Sequence, residues 1–148
     1  MTSVNSRFNA VLHGVSVCFL IKLIKYIMKN WSDIYKLPIA ESYIDEEDGF
    51  RSKRILDANR NFIFQFLNVQ DSAQINALEA INGTKKLKGK DTTFSHKDGY
   101  IFANEHKAIM IRGWGNLTGT GGHNLSGDDA TNVQDTFADY IVSKLNER

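Results

Sequence analysis

The apolar positions of this chain follow two periods. From Ala130 onward, Ala130, Val133, Phe137, Tyr140, Ile141 and Leu145 recur at three- and four-residue spacings, which predicts an amphipathic helix. Ser126 or Asp128 starts it. Asp128 and Asp129 stand at its positive end and Lys144 and Arg148 near its negative end, as the helix dipole prefers. A shorter helix is predicted from Ile75, Leu78 and Ile81, with Asp71 or Ser72 as its cap and Asn82-Gly83 closing it. Elsewhere the period is two. Ser52 to Leu67 reads as a β-hairpin turned at Asp57–Asn61, with Phe62, Phe64 and Phe66 on one face. Thr92–His96, Tyr100–Ala103 and Lys107–Trp114 read as a three-strand meander, with Ala108, Met110, Arg112 and Trp114 on one face of the last strand. Residues 31–52, which hold Pro38 and the acidic run Asp45-Glu46-Glu47-Asp48, read as an irregular segment ending in a turn.

The most apolar stretch is residues 10–28, where Lys22, Lys25, Lys29 and Cys18 fall on one face of a helix and Val17, Leu20, Ile21, Leu23, Ile24, Ile27 and Met28 on the other. It is short and charged for a bilayer span, so it reads as an amphipathic helix that packs on the domain or lies on a membrane surface through residues 10–29. Met28-Lys29-Asn30-Trp31 would also make a natural start, which sets residues 1–30 apart as an N-terminal helix or upstream extension. Residues 31–148 then form one domain. Its element order, β-β-α-β-β-β-α after the N-terminal helix, predicts an α+β fold: an antiparallel sheet with helices packed on one face.

Composition narrows the function classes. The 148-residue chain carries a net charge of +1, so no global field recruits nucleic acid or an anionic membrane. Cys18 is the only cysteine, which rules out an intramolecular disulfide and fits a cytoplasmic setting. The run Lys85-Lys86-Leu87-Lys88-Gly89-Lys90 has no aromatic residue for base stacking and reads as a solvated loop. No histidine pair or cysteine spacing suggests a metal, and no cofactor motif is present.

Candidate chemistry concentrates between Arg112 and Gly127, where six of the 11 glycines lie. A strand, a glycine-rich loop and a helix start commonly build a binding site. Meander geometry brings this loop to the end of the sheet that holds His96, so Arg112, Trp114, Gly119, Gly121, Gly122, His123 and His96 form the candidate ligand-binding set. The loop matches neither the P-loop nor the dinucleotide fingerprint, and Asp128 and Asp129 would repel an anion at the helix start.

Arg112-Gly113-Trp114-Gly115-x-Leu117-Thr118-Gly119-x-Gly121-Gly122, followed by Leu125 and Gln134-Asp135-x-Phe137-x-x-Tyr140-Ile141, resembles small proteins of bacteriophages and Bacteroides-type mobile elements. Asp57-Ala58-Asn59-x-Asn61-Phe62-x-Phe64-Gln65-Phe66 and the helix ending Ile81-Asn82-Gly83 are similar to the first half of the same proteins. The resemblance spans about residues 31–146. It implies a phage or prophage context and no particular activity. The leading expectation is a non-enzymatic protein that binds a host protein or small ligand through residues 112–127. The alternatives are a protein that binds or hydrolyses a nucleotide or phosphorylated metabolite, and a peripheral membrane protein.

Overall fold

The computed structural model describes residues 28–87 and 91–148. The N-terminal amphipathic helix, its membrane reading and the alternative start therefore lie outside the described residues, as do Lys88, Gly89 and Lys90. Among the described residues, no helix is long and apolar enough to cross a membrane.

The chain folds as α1 (Trp31–Ile34), β1 (Ala40–Asp45), β2 (Arg51–Leu56), β3 (Phe62–Phe66), α2 (Asp71–Ile81), β4 (Phe94–Lys97), β5 (Tyr100–Ala103), β6 (His106–Ile111), α3 (Trp114–Thr118) and α4 (Gly127–Leu145). The α+β class is as expected, but the sheet has six strands, ordered β1-β2-β3-β6-β5-β4 and antiparallel throughout. The additional strand, β1, lies in the segment that reads as irregular. Its Ala-Glu-Ser-Tyr-Ile-Asp sequence has no buried face, since it is an edge strand held by pairing with β2. Glu41 and Asp45 face Lys53 and Arg51 across that pair at 3.0 and 2.9 Å, and both cations lie over the Tyr43 ring.

The sheet is two three-strand meanders joined where β3 pairs with β6. Cross-strand partners share a face, so Ile55, Phe64 and Ile111 form one apolar row and Phe66, Ile109 and Ile101 a second. Phe62 leaves the row expected for it. A register shift between Ile55 and Leu56 breaks the alternation, and Phe62 lies instead under Arg54 and Arg112, with guanidinium carbons 4.8 and 5.7 Å from its ring centre.

Helix α4 is the hub: it packs against α1, α2, α3 and β4. Its buried stripe is Ala130, Val133, Phe137, Ala138, Ile141 and Leu145, and the Ser126 hydroxyl caps it by accepting from the Asp129 amide. Helix α2 buries Ala77, Leu78, Ala80 and Ile81, while Ile75, expected in its core stripe, is 49% exposed. The one-turn α1 is too short to hold alone. A capping box between Asn30 and Asp33 closes its start, and the Trp31 ring settles 5.3 Å from Phe137 and 4.6 Å from Tyr140. The C-terminal caps of α2 and α4 are both asparagines that reach outward. Asn82 accepts from the Ile39 amide and donates to the Ile39 carbonyl, and Asn146 does the same with Phe94. Each side-chain amide thus acts as one more rung of backbone pairing.

A buried and a half-buried tyrosine differ in a testable way. The Tyr140 hydroxyl donates to the Ile81 carbonyl at 2.8 Å. The Tyr35 hydroxyl is buried with no hydrogen-bond partner among the described residues. Burial, and secondly the charge of Asp57, push Tyr35 above the ordinary tyrosine range. Burial also raises Tyr140. A raised pKa means that the folded state keeps a proton that the unfolded chain releases near pH 10. Stability is therefore full below about pH 10 and declines above it. In urea unfolding, Tyr35→Phe should leave stability at pH 7 unchanged or raise it by up to about 1 kcal/mol, and should flatten the alkaline decline. Tyr140→Phe should lose about 1 kcal/mol at pH 7, because the Ile81 carbonyl is left without its donor.

Candidate functional site

The site begins with the turn between β2 and β3. Asp57 and Asn61 are the two buried polar residues of the described chain, each 5% exposed. A buried polar group needs hydrogen-bond partners, and theirs are specific. Asp57 Oδ1 accepts from the Asn61 amide at 2.7 Å, and Oδ2 accepts from the Lys36 amide at 2.8 Å and from Asn61 Nδ2 at 3.1 Å. Asn61 Nδ2 also points at the Ile34 carbonyl, 3.4 Å away. Both neighbours of Nδ2 are acceptors, which fixes the orientation of the Asn61 amide. Its Oδ1 therefore faces the opposite way, toward Asn116 Nδ2 at 3.1 Å and His123 Nε2 at 2.7 Å.

This chain of contacts sets the tautomer of His123. Asn61 Oδ1 can only accept, so Nε2 of His123 carries a hydrogen and donates it. In the neutral ring Nδ1 then holds the lone pair. A buried carboxylate thus dictates, through one asparagine, which face of a surface histidine is basic.

The stretch expected as a long glycine-rich loop is more ordered than its composition suggests. Strand β6 stops at Ile111, so Trp114 opens α3 instead of ending a strand. Gly113 makes that turn in the left-handed region at φ +95°, and a Cβ there would lie 2.1 Å from the Phe62 carbonyl oxygen. The chain then folds back around α3. The amides of Gly119, Gly122, His123, Asn124 and Leu125 donate to the carbonyls of Gly115, Gly119, Asn116, Gly119 and Leu117. Gly122 passes so close to Asn116 that a Cβ would meet its carbonyl oxygen at 2.0 Å. Gly119 is similarly tight against Gly115, whereas Gly121 faces open space. A phosphate cradle needs amides turned outward, and these amides are turned inward.

Of the sequence-derived set, Arg112, Trp114, His123 and the three glycines belong to one unit. Arg112 takes its place over Phe62, and its amide pairs with Ile63. Gln134 of α4 donates to its carbonyl. Trp114 is 44% exposed. His96 stands apart. It lies on edge strand β4 and faces Asp139 at 3.4 Å and Asp135 at 3.9 Å, both on α4. Three strand spacings, about 14 Å, separate β4 from β3. Strand direction places the His96 turn at the same end of the sheet, but the loop folds toward β3, where Asn61 holds it. The residues that sequence reasoning missed are Asp57, Asn61 and Asn116. Asp57 and Asn61 read as turn formers, and nothing local distinguishes a turn asparagine from one that meets a histidine 62 positions away.

No family model, curated protein or solved structure matches this chain.

Two measurements test the site. In nitrogen-15 spectra, the neutral ring of His123 should show a protonated Nε2 and a lone pair on Nδ1. Asn61→Ala should relax that preference to the weaker bias of a free neutral histidine, while His96 is unaffected. Gly113→Ala should lower the unfolding free energy by on the order of 3 kcal/mol, from positive φ and from collision with the Phe62 carbonyl. Gly121→Ala, in open space, should change it by less than about 1 kcal/mol.

Proposed function

We propose that this is a non-enzymatic binding protein whose contact surface is the α3 unit, residues 112–127, and whose partner is another protein. The observation that carries the reading is the Asp57–Asn61–His123 chain, which holds an exposed histidine in one orientation and one tautomer within the same unit as the exposed Trp114. A rigid, pre-positioned surface loses little conformational entropy on binding. Trp114 supplies an apolar anchor and Arg112 a cation stacked on Phe62, and these residue types concentrate binding energy at interfaces. His123 offers a defined acceptor at Nδ1. The inward-turned loop amides weigh against the nucleotide or phosphorylated-metabolite alternative. A phage or mobile-element setting, with a host protein as partner, belongs to the same proposal and is supported by the sequence resemblance of residues 31–146.

The test is affinity capture from bacterial lysate by wild type, Trp114→Ala and His123→Ala, each first shown to fold cooperatively. A partner retained by wild type should be lost with Trp114→Ala, whose affinity is expected to fall at least about thirtyfold, as for a tryptophan at the centre of an interface. Capture unchanged by either substitution would overturn the assignment of this surface. Thermal melting against nucleotides and sugar phosphates checks the alternative. A rise in melting temperature that Arg112→Ala removes would replace the protein partner with a phosphorylated small molecule.

A further inference from the structure

A second site lies away from the α3 unit. Between α2, the sheet and the end of α4 is a cavity of about 310 Å³. It exists because four small side chains converge: Ala73 and Ala77, one turn apart on α2, face Ala103 of β5 and Ala108 of β6. The pocket is open to solvent, since Ala73 on its wall is exposed, and larger residues at these positions would fill it. The remaining wall is mainly apolar, with Phe94 and Leu145 among its residues.

The rim carries one guanidinium. Arg148 lines the cavity, and its guanidinium donates to the carbonyls of Thr92, Leu145 and Glu147, which fixes it at the wall. These partners are neutral carbonyls, and the nearby Glu147 carboxylate is engaged by Lys144 at 3.3 Å. Lys86 donates to the main-chain oxygen of Arg148, the last residue of the chain, at 3.5 Å. An apolar chamber with a fixed guanidinium at its edge suits an apolar tail ending in a carboxylate. At about 30 Å³ per water-sized group, the volume holds about ten non-hydrogen atoms, the size of octanoate.

We propose that this cavity binds a medium-chain carboxylic acid, with its hydrocarbon tail between α2 and the sheet and its carboxylate on Arg148. Calorimetric titration of the full chain with octanoate and with octanol tests this. Octanoate should bind at least about tenfold more tightly than octanol. Arg148→Gln should remove that difference and leave octanol binding unchanged. Ala108→Leu, which fills the chamber from the sheet side, should abolish binding of both and raise the melting temperature. Should Ala108→Leu fail to fold, the wild-type spectrum decides: octanoate should shift the methyl signals of Ala73, Ala77, Ala103 and Ala108. No binding at millimolar octanoate, equal affinity for octanol, binding that survives in a folded Ala108→Leu, or signals that shift only elsewhere would each overturn the proposal. None of these results depends on Trp114 or His123, so failure here is distinct from failure at the α3 surface.

Discussion

Asp57 holds its carboxylate where water reaches little of it, and a buried carboxylate without donors would be strongly destabilising. Its donors come from two places in the chain: the Lys36 amide beyond α1, and the backbone and side chain of Asn61 across the β2–β3 turn. The backbone repeats the same link, since the Ala58 amide donates to the Lys36 carbonyl. The segment that leaves α1 is thereby locked to the turn that enters β3. Because Asn61 passes the orientation on to Asn116 and His123, the α3 unit is locked to that turn as well. Segments distant in sequence meet on one carboxylate, and each would lose its register if the others moved.

The pairing of β3 with β6 completes this arrangement. It joins two meanders, each of which would otherwise present an unpaired edge at the centre of the molecule. It also carries β6 to the Asn61 end of β3, where the chain must turn at Gly113 within van der Waals reach of the Phe62 carbonyl. Only a residue without a side chain fits there. The outer strands are secured differently. Asn146 clamps β4 at Phe94, and Asn82 clamps Ile39, just ahead of β1. Both clamps extend from helix ends, where carbonyl groups already lack intrahelical partners and the chain is free to turn.

These constraints explain why the two proposed sites differ in character. At the α3 unit, polar groups are satisfied inward and what remains outside is a fixed display of Trp114, Arg112 and His123. At the α2 cavity, hydrogen bonds hold only the Arg148 guanidinium at the wall. Small residues on three elements leave space, and one guanidinium at the end of α4 gives that space a polarity. One surface is rigid through hydrogen bonding. The other is open because the packing stops short.

Much of the fold was legible in the sequence because apolar period is a local property. The stripe of α4, the hairpin around Asp57–Asn61 and the later meander follow from side chains that must face one core. Their bounds moved by a few residues, and β6 stops at Ile111 because Gly113 turns the chain. Strand β1 was illegible, since an edge strand with no buried face has no apolar alternation to betray it. Ile75 misled for the opposite reason: it keeps helical spacing but falls on the solvent side of α2. The candidate site was half legible. Glycine content marked residues 112–127, but the glycines pack backbone against backbone instead of offering amides. His96, which strand geometry places at the same end, lies near α4 and not His123. Sequence alone determined α4, α2, the hairpin and the later meander as helix or strand, and that they share one core. Tertiary structure alone decided which strands are neighbours, which of two histidines meets Asn61, and where four alanines leave a cavity. Those outcomes rest on contacts between residues far apart in the chain, and no local spacing records them.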